Sequence, residues 1–481
     1  MGEAKMRVVF TGCPGTGKTF SMVKSIKEMV DNKEIDNFII LTPTRASREA
    51  VLGIMSDLDF LDEDKVRTIH SFAFRYLSSY DVWTSSEDEE FYKKFKLKFY
   101  PNLMVDFSIM PLGNKIDYIR RFVINETNTT IDKLKTNDAI KIISRVSREI
   151  QITIKEEKIY EILIEREREK EKKGMIDYDD MILKSEVYTQ DYDLIAVDES
   201  QLSTKFMLNF IRKLSRANNF FATNDPTQAI APLSPSQEEL INFIKSFDKI
   251  EILKENKRMS KNIVEYVNKV YSKIKPIWEN TYSNIEGGEV RLISEKDLGR
   301  VINLADILIT FSNDAIKRIE NLLIEAGVPF IVKSGLERVY GSLWNEEKLK
   351  LREALIRFSK GNSNYDDLSI IAKYMGKSYT YLELEKIKQF SLREILNTIK
   401  SNNFAFGYAL ERSLNNNKPI IISTVQSSQG LTFDSILVYP KVTKYLKRTL
   451  DLYSAITWYG VAITRGRGRL FILTSQDTMV V

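Results

Sequence analysis

Cysteine and histidine are almost absent from this chain of 481 residues, which contains only Cys13 and His70. One cysteine excludes an internal disulfide. One residue of each type also excludes a zinc or iron–sulfur site built from histidine and cysteine. No run of about 18 apolar residues occurs, so no segment is predicted to span a membrane. The opening MGEAKMRVVF lacks the apolar core of a signal peptide, and the expectation is a cytoplasmic protein.

Neither sign of charge is in large excess. Lysine and arginine total 71 residues against 66 aspartates and glutamates, which leaves a net charge of +5 at pH 7. This mild positive charge is compatible with nucleic-acid binding but does not establish it. Apolar residues make up 43% of the chain and charged residues 28%, so wholesale disorder is excluded. The absence of a visible repeat of about 20–50 residues disfavours a solenoid.

Strand-like apolar runs alternate with helical stretches, which favours an α/β fold with parallel sheets. A second series of such runs begins near residue 289, so two α/β units are predicted, with residues 258–285 as the crossing. Segments 81–174 and 361–417 lack strand signals and are interpreted as mainly helical insertions. The first insertion ends in EREREKEKK (165–173), where opposite charges alternate, and this run is predicted to be a solvated helix. The first series of strand-like runs is at 7–12, 37–44, 192–200, 218–225 and 249–256.

The stretch GCPGTGKT, at residues 12–19, fits the pattern G-x-x-x-x-G-K-[ST] in full and lies between an apolar run and a helical stretch. In this pattern the backbone N–H groups of a glycine-rich loop hold phosphates, and the positive end of the following helix faces the anion. Lys18 is predicted to reach the β- and γ-phosphate oxygens, and Thr19 to offer its hydroxyl to Mg²⁺. Cys13 occupies a variable position and is not interpreted as a nucleophile.

A second acidic element, IAVDESQ at residues 195–201, places two carboxylates directly after an apolar run. Asp198 is predicted to complete the coordination of Mg²⁺, and Glu199 to accept a proton from the attacking water. Such a pair is a weak signal alone and becomes a strong one behind a phosphate-binding loop. Because Lys18 and Asp198 are far apart in sequence, a domain is predicted between them.

Nine segments, one of which contains this acidic pair, follow the loop in a fixed order. They are LTPTRASREA (41–50), TIHSFAFRYL (68–77), IDYDDMI (176–182), VDESQ (197–201), NDPTQ (224–228), LKENKRMS (253–260), ITFSNDAIKRIENLLIEAGVPF (309–330), TVQSSQGLTFDS (424–435) and YGVAITRGRGRL (459–470). In this order they resemble the motifs of superfamily 1 helicases of the UvrD/Rep-like branch. The resemblance covers nearly the whole chain.

The resemblance implies two RecA-like P-loop NTPase motor domains with parallel sheets and mainly helical inserted subdomains. The first motor domain would comprise 1–80 and 175–257, with 81–174 inserted. The second would comprise 258–360 and 418–481, with a short insertion at 361–417. ATP, with Mg²⁺, would be hydrolysed in the cleft between the motor domains, and this ATP hydrolase would drive 3′-to-5′ movement on single-stranded DNA. Single-stranded DNA and duplex junctions are the implied partners; a membrane is not, and no particular protein partner is indicated.

Two arginines matter most in the implied nucleotide site, because a guanidinium can meet two phosphate oxygens at once. Arg465 matches the arginine of motif VI and Arg258 that of the N-x-R motif, and both are expected on the far side of the cleft from the loop. Gln228 would sense the γ-phosphate. The implied catalytic residues are Lys18, Glu199, Gln228, Arg258 and Arg465. The implied nucleotide contacts are Gly12, Pro14, Gly15, Thr16, Gly17, Lys18, Thr19, Phe20, Gln228, Arg258, Gly430 and Arg465, and the implied Mg²⁺ ligands are Thr19 and Asp198.

Single-stranded DNA is expected to cross both motor domains, held by phosphate contacts and by aromatic stacking without sequence preference. His70, alone, is more typical of a structural hydrogen bond, but within TIHSF it matches a family element that contacts DNA. Phe72 is equally compatible with a core position. Arg467 and Arg469 match no required position and are interpreted as surface or DNA-facing charges. The implied DNA contacts are Thr44, Arg45, Thr68, His70, Phe72, Thr424 and Ser427.

The chain departs from the family pattern at several positions. No glutamine precedes the phosphate-binding loop, and Lys257 replaces the tyrosine that stacks on adenine, so weak discrimination between ATP and GTP is expected. Gln426 and Gln429 replace ionisable residues of motif V. Motif III begins with Asn224 instead of glycine.

Three alternatives to a helicase remain at this stage. The first is an ATPase that is stimulated by single-stranded DNA and remodels protein–nucleic-acid complexes with little unwinding. A module that only clamps a strand is disfavoured, because the residues expected to hydrolyse ATP are intact. A small-molecule kinase is disfavoured by the second series of strands and its motifs.

Overall fold

The computed structural model describes residues 6–77, 79–103, 107, 109–186, 189–217, 219–231, 233–333, 337, 342–377, 380–415, 418–441 and 451–474. The chain divides into two compact units. The first unit contains Met1–Gly287 and Asp451–Thr464, and the second contains Gly288–Leu450 and Arg465–Val481.

The first unit is built on a six-stranded sheet in which every neighbouring pair of strands is parallel. The strands of the whole unit, including two outside this sheet, are β1 (Met6–Gly12), β2 (Phe38–Thr42), β3 (Val66–Thr68), β4 (Asp81–Val82), β5 (Met175–Ile176), β6 (Leu194–Val197), β7 (Asn219–Asn224) and β8 (Lys249–Leu253). The order across the sheet is β3-β2-β6-β7-β1-β8, and β4 pairs separately with β5. All strands of the sheet therefore end at one edge.

Both faces of this sheet are buried, which explains why its central strands read as continuous apolar runs. On β1, Val8 and Phe10 belong to one apolar cluster and Val9 to another, as the alternation of side chains along a strand requires. Helices cover the two faces. The helices of the first unit are Lys18–Asp31, Arg45–Asp57, Ile69–Phe74, Ser85–Lys94, Leu112–Thr127, Thr136–Glu149, Glu156–Lys172, Tyr178–Lys184, Lys205–Leu214, Gln237–Lys245, Lys261–Tyr271 and Leu452–Ile463.

The segment 81–174 is helical and has an apolar cluster of its own, which includes Trp83, Ile119 and Leu163. Its two ends are held together by the short parallel pair β4 and β5, in which Asp81 lies opposite Met175. The inserted segment therefore begins and ends at the same place.

The second unit repeats the architecture. Its strands are β9 (Glu289–Ser294), β10 (Ile307–Thr310), β11 (Phe330–Lys333), β12 (Ile420–Thr424), β13 (Phe433–Tyr439) and β14 (Gly466–Thr474). They form a parallel sheet in the order β11-β12-β10-β13-β14-β9. Its helices are Leu298–Val301, Asn313–Glu325, Glu346–Ser359, Tyr365–Tyr374, Tyr381–Ile387, Leu392–Asn402 and Phe404–Ser413. The two parallel sheets and their helical insertions confirm the predicted α/β fold class.

The crossing between the units lies later in the chain than the sequence indicates. Residues 258–287, assigned above to the crossing and the second motor domain, lie in the first unit, as does the helix Leu452–Ile463. This helix is held there by Tyr459, whose hydroxyl lies 2.8 Å from that of Tyr266, and by close packing of Gly460, where any Cβ would collide with Tyr271. These contacts join residues distant in sequence, which explains why no local pattern indicates them. The four-part domain division remains a prediction.

The charged run 165–173 was predicted to be a solvated helix, but only one face of it is solvated. In the helix Glu156–Lys172, Arg166 is fully buried, and Glu167 and Lys170 are nearly so. Arg166 Nε donates to Asp88 at 2.8 Å and its Nη1 to Asp177 at 2.9 Å, while Lys170 Nζ lies 3.0 Å from Asp177. The prediction was wrong for the buried face, because Asp88 and Asp177, which neutralise it together with Glu167, come from other elements.

Asp177 is the centre of this buried cluster. Burial alone would raise the pKa of Asp177, but Arg120, Lys170 and Arg166 outweigh it and hold the pKa well below its ordinary value. The charged form of Asp177 therefore stabilises the fold at neutral pH. That contribution is lost as the pH falls below about 4, the pKa of aspartate in an unfolded chain.

We predict that Arg166→Ala lowers the free energy of unfolding by about 3–5 kcal/mol, because Asp88 loses its ion pair with a buried cation and Asp177 loses one of its three. Arg168→Ala is the matched control, since Arg168 is exposed on the same helix, and its effect should stay within about 0.5 kcal/mol. Urea denaturation at pH 7 measures both. Equal effects of the two substitutions would show that the buried cluster does not stabilise the fold.

Candidate nucleotide-binding site

The phosphate-binding loop connects β1 to the helix Lys18–Asp31 at the edge where the strands of the first sheet end. Gly15 and Gly17 adopt positive φ angles of 91° and 80°, a conformation that glycine adopts without strain. At Gly15 a Cβ would also lie 2.9 Å from atoms of Asn256 and Arg258. The loop can therefore wrap closely around an anion only with glycine at these positions.

Lys18 lies inside the loop, with a residue exposure of only 6%. Its Nζ donates to the carbonyl oxygens of Gly12 at 2.9 Å and Cys13 at 3.3 Å, and it lies 3.7 Å from Asp225 Oδ2. The ammonium group is thus held at the centre of the loop by oxygen acceptors. Burial and the nearby Asp225 raise the pKa of Cys13 well above its ordinary value, which agrees with its interpretation as a non-nucleophilic residue.

The two predicted Mg²⁺ ligands lie side by side. Thr19 Oγ1 donates a hydrogen bond to Asp198 Oδ1 at 2.9 Å. Burial and the neighbouring carboxylate of Glu199 raise the pKa of Asp198 to about 7. A hydroxyl and a carboxylate oxygen at the mouth of a phosphate-binding loop are the hard ligands that Mg²⁺ takes together with phosphate oxygens. The residues present therefore fit this ion.

Thr223 links the carboxylate of Asp198 to the backbone of Glu199. Its Oγ1 donates to Asp198 Oδ1 at 2.7 Å and accepts the backbone N–H of Glu199 at 2.7 Å. Glu199 has a positive φ of 50°, which is unusual for a residue with a side chain and is often found at functional sites. Its carboxylate accepts a hydrogen bond from Gln201. Thr223 lies one residue before the end of β7 and outside every motif, so no pattern in the sequence indicated it.

Gln228 lies in the same cluster, in the turn after β7. Its Nε2 donates to Asp225 Oδ2 at 2.9 Å. This is the carboxylate oxygen that lies 3.7 Å from Lys18 Nζ. The backbone N–H of Asp225 donates in turn to Gln201 Oε1 at 3.1 Å. Asp225 stands inside the NDPTQ segment but was not singled out from the sequence. It connects Lys18, Gln228 and the acidic element.

Arg258 lies in the first unit, next to the loop, and not on the far side where it was expected. The reason is the side chain of Asn256, whose Nδ2 donates to the carbonyl of Pro14 at 2.8 Å. Its Oδ1 accepts the backbone N–H groups of Arg258 and Met259. Asn256 therefore attaches this segment to the phosphate-binding loop.

The remaining nucleotide contacts in the first unit surround the loop. Pro14 and Thr16 belong to the loop itself, and the Thr16 hydroxyl donates to the Cys13 carbonyl at 2.9 Å. Phe20 is exposed directly after Thr19, and the Nζ of Lys257 lies 6.0 Å from the centre of its ring. An aromatic face and a cation thus stand together beside the loop, although the family's tyrosine is absent.

Gly430 and Arg465 lie in the second unit. Arg465 is almost completely buried, and its Nη1 donates to the carbonyl of Leu431 at 3.4 Å. Gly430 has a positive φ of 83° in the turn just before Leu431. Arg467 and Arg469 are exposed on β14. The two predicted residues of this unit are therefore neighbours, and the other two arginines are surface charges.

Three of the predicted DNA contacts share one local arrangement. In each, a threonine hydroxyl near the end of a strand accepts the backbone N–H of a serine three residues later. The pairs are Thr44–Ser47 at 3.0 Å, Thr68–Ser71 at 3.2 Å and Thr424–Ser427 at 3.3 Å. Arg45 is exposed beside the first pair. Thr44 and Thr68 thereby cap the helices Arg45–Asp57 and Ile69–Phe74, and Thr424 caps the turn after β12.

Phe72 does not stand at a surface. It is fully buried among core residues, 5.9 Å from the rings of Tyr76 and Tyr192, and the interpretation as a base-stacking residue is therefore wrong. Its place on the apolar face of the helix Ile69–Phe74 explains the burial. His70 points elsewhere, with its ring 5.4 Å from Tyr178, and burial lowers the pKa of His70. Tyr178 is half exposed and was not singled out from the sequence.

A family model and two known proteins match this chain. Residues 3–245, about half of the chain, match the UvrD/REP helicase N-terminal domain family. A stretch of 106 residues is 33% identical to the alanine–tRNA ligase of Malacoplasma penetrans (strain HF-2), covering 21% of this chain and 11% of the ligase. The arterivirus nonstructural protein 10 helicase, solved with DNA, is 11% identical with a TM-score of 0.36, over 98% of this chain and 61% of that chain.

This chain therefore spans about a tenth of the ligase and about three fifths of the arterivirus helicase. Likeness at these levels carries no argument about activity, whereas the family match includes the loop and the acidic element. Among the described residues, no helix has both the length and the apolar character needed to cross a membrane.

We predict that Thr223→Val raises the Mg²⁺ concentration needed for half-maximal binding of a nucleotide triphosphate analogue by about 10–100-fold, because Asp198 loses the hydroxyl that orients it. Thr223→Ser, which keeps the hydroxyl, is the matched control and should behave like the wild type. Nucleotide titrations at several Mg²⁺ concentrations measure the shift. A valine variant with unchanged Mg²⁺ dependence would contradict the role of Thr223.

Proposed function

The chain belongs to the UvrD/REP helicase family, and from this we propose that it is an ATP-dependent DNA helicase or translocase that moves on single-stranded DNA in the 3′-to-5′ direction. Its activity is ATP hydrolysis coupled to movement. Its partners are single-stranded DNA and duplex junctions, and it works in the cytoplasm.

The observation that carries this proposal is the convergence of Lys18, Thr19, Asp198 and Glu199 at the edge of one sheet. Lys18 offsets the charge of the β- and γ-phosphates, and Thr19 and Asp198 hold Mg²⁺. When bound, the ion neutralises charge on the phosphate oxygens. Glu199 accepts the proton of the attacking water, and its hydrogen bond from Gln201 orients the carboxylate for that task. A nucleotide clamp without hydrolysis needs no such base.

Three further residues complete the proposed chemistry. Gln228, fixed by Asp225, stands where it can respond to the γ-phosphate. Arg258 supplies a guanidinium from beside the loop. Arg465 supplies a second guanidinium from the other motor domain, across the proposed cleft. Planar guanidinium groups suit the charge that spreads over equatorial phosphate oxygens in the transition state. This role of Arg465 rests on its match to motif VI.

The proposed DNA track follows the ends of the strands. The threonine-capped segments after β2, β3 and β12 present backbone N–H groups and hydroxyls, which contact phosphates whatever the DNA sequence is. Arg45 adds a positive charge beside the first turn. His70, whose pKa is lowered by burial, would contact DNA as a neutral ring.

The second candidate is a DNA-stimulated ATPase that remodels protein–nucleic-acid complexes and unwinds little. The short inserted segment 361–417 favours it, since its helices offer less surface for a duplex than a full regulatory subdomain would. The replacement of ionisable groups by Gln426 and Gln429 in motif V points the same way.

The test is ATP hydrolysis with and without single-stranded oligonucleotides, followed by unwinding of duplexes with 3′ or 5′ tails. We predict that hydrolysis depends on the oligonucleotide and that only the 3′-tailed duplex is unwound.

We also predict that Glu199→Gln abolishes hydrolysis while nucleotide still binds. Lys18→Ala, which removes the phosphate counter-charge, should lose both. Stimulated hydrolysis without unwinding would favour the second candidate, and a wild-type rate for Glu199→Gln would refute the assignment of the base.

We predict that Arg465→Ala lowers kcat by about 10³–10⁵-fold and changes KM for ATP far less, because the guanidinium acts mainly in the transition state. Arg465→Lys should restore little, since an ammonium cannot span two oxygens. Arg467→Ala is the matched control two residues further along the chain, on β14, with 58% of its side chain exposed. Circular dichroism checks that each variant folds. Normal hydrolysis by Arg465→Ala together with lost DNA affinity would transfer this arginine to the DNA track.

A further inference from the structure

The carboxylate of Asp225 is fully buried in the turn after β7, and donors surround both of its oxygens. Oδ1 accepts from the backbone N–H of Thr227 at 3.1 Å, from the Thr227 hydroxyl at 2.6 Å and from Trp278 Nε1 at 3.1 Å. Oδ2 accepts from Gln228 Nε2 at 2.9 Å and lies 3.7 Å from Lys18 Nζ. One oxygen is therefore anchored, and the other is shared between two groups of the proposed nucleotide site.

Trp278 is the anchor that comes from outside the motif. It is buried to 1% exposure, and its ring meets the edge of Tyr271 at 5.0 Å. The Tyr271 hydroxyl lies 3.5 Å from the carbonyl of Thr227. The turn that carries Asp225 and Gln228 is thus held on two sides by the segment 271–278. Asp225 cannot follow the ammonium of Lys18 if that group moves.

A triphosphate on the loop competes with Asp225 for the same cation. The ammonium of Lys18 has one charge, and its side chain is 5% exposed where it faces the carboxylate. Phosphate oxygens carry more negative charge than one carboxylate, so the ammonium shifts its pairing toward them. The oxygen Oδ2 then keeps Gln228 as its remaining neighbour.

We infer that Asp225, anchored by Trp278, is the counter-ion of Lys18 that a triphosphate displaces, and that this exchange reports occupation of the loop to Gln228. Asp225 and Trp278 are positioning residues in this exchange, since neither touches the phosphates. The inference rests on the proposed function of the loop. Beyond that function, the inference gives Lys18 a carboxylate that competes with the nucleotide and so lowers nucleotide affinity. It also makes the environment of Gln228 depend on whether Lys18 pairs with Asp225.

The first test is binding of adenylyl imidodiphosphate, a non-hydrolysable ATP analogue, with Mg²⁺ to Asp225→Asn. The asparagine keeps an acceptor for Trp278 and Thr227 but carries no charge. We expect the analogue to bind on the order of tenfold more tightly, because a competing charged partner is removed. AMP, which lacks the β- and γ-phosphates, should bind as it does to the wild type. Unchanged or weaker binding of the analogue would overturn the inference.

The second test needs no nucleotide and separates pairing with Lys18 from a general effect of charge. Asp225→Asn should lower Tm, because it leaves the Lys18 ammonium without its buried counter-ion. Lys18→Met combined with Asp225→Asn should recover much of that loss. If the losses of the two single variants simply add, the two side chains are not paired and the inference fails.

The third test uses the indole of Trp278 as a reporter. Withdrawal of the ammonium changes the field at Trp278 Nε1, so the analogue should shift tryptophan emission and AMP should not. Trp278→Phe should abolish the shift. Trp83→Phe is the matched control, since Trp83 is equally buried and donates to Asp88 at 2.9 Å in the inserted segment, and it should keep the shift. A shift that survives Trp278→Phe would contradict the inference.

These outcomes separate this inference from the proposed function. If wild-type protein does not bind the analogue at all, the assignment of the loop as an ATP site is wrong. If the wild type binds the analogue and hydrolyses ATP, but Asp225→Asn binds the analogue no more tightly and Trp278→Phe keeps the emission shift, the proposed function stands. Only the counter-ion exchange is then refuted.

Discussion

Parallel pairing of β6, β7, β1 and β8 is the constraint on which the nucleotide site depends. Thr11 lies opposite Asn224, and Gly12 lies opposite Leu253, so these strands end level with one another. The carboxyl ends of parallel strands meet at one edge, where ligands of open α/β sheets bind. The loop, the acidic pair, Asp225 and the segment carrying Asn256 each begin at one of these ends. A shift in strand register would separate groups that now lie within hydrogen-bonding distance.

Buried charge is the second theme of the first unit, and it occurs in two different forms. Around Asp177 cations and carboxylates pair with each other inside the fold. Around Lys18 and Asp198 the oxygen and nitrogen groups meet at the mouth of a loop, and burial raises the pKa of Asp198 to about 7. The first arrangement fixes the inserted segment. The second leaves charges whose partners can be exchanged.

Sequence patterns predicted those parts of the structure that local spacing determines. Lys18 and Thr19 follow from one contiguous loop, and Asp198 and Glu199 from one strand end, so their interpretation needed no knowledge of the fold. Arg166, Phe72 and Trp278 depend on which distant element packs against them. Alternating charge suggested solvent for Arg166, and a family motif suggested DNA for Phe72, but tertiary contacts buried both. Trp278 gave no signal, because its partner is 53 positions away.

The helix Leu452–Ile463 completes the first unit although it is encoded near the far end of the sequence. Tyr271 packs against Gly460 so closely that no other residue fits there, and Tyr453 donates to the carbonyl of Pro226 at 3.2 Å. Domains usually fold in order as the ribosome releases them. Here the turn Pro226–Gln228 lacks its contact with Tyr453 until residues 451–464 have left the ribosome. The first unit therefore cannot be completed before residues 288–450 of the second unit have been synthesised.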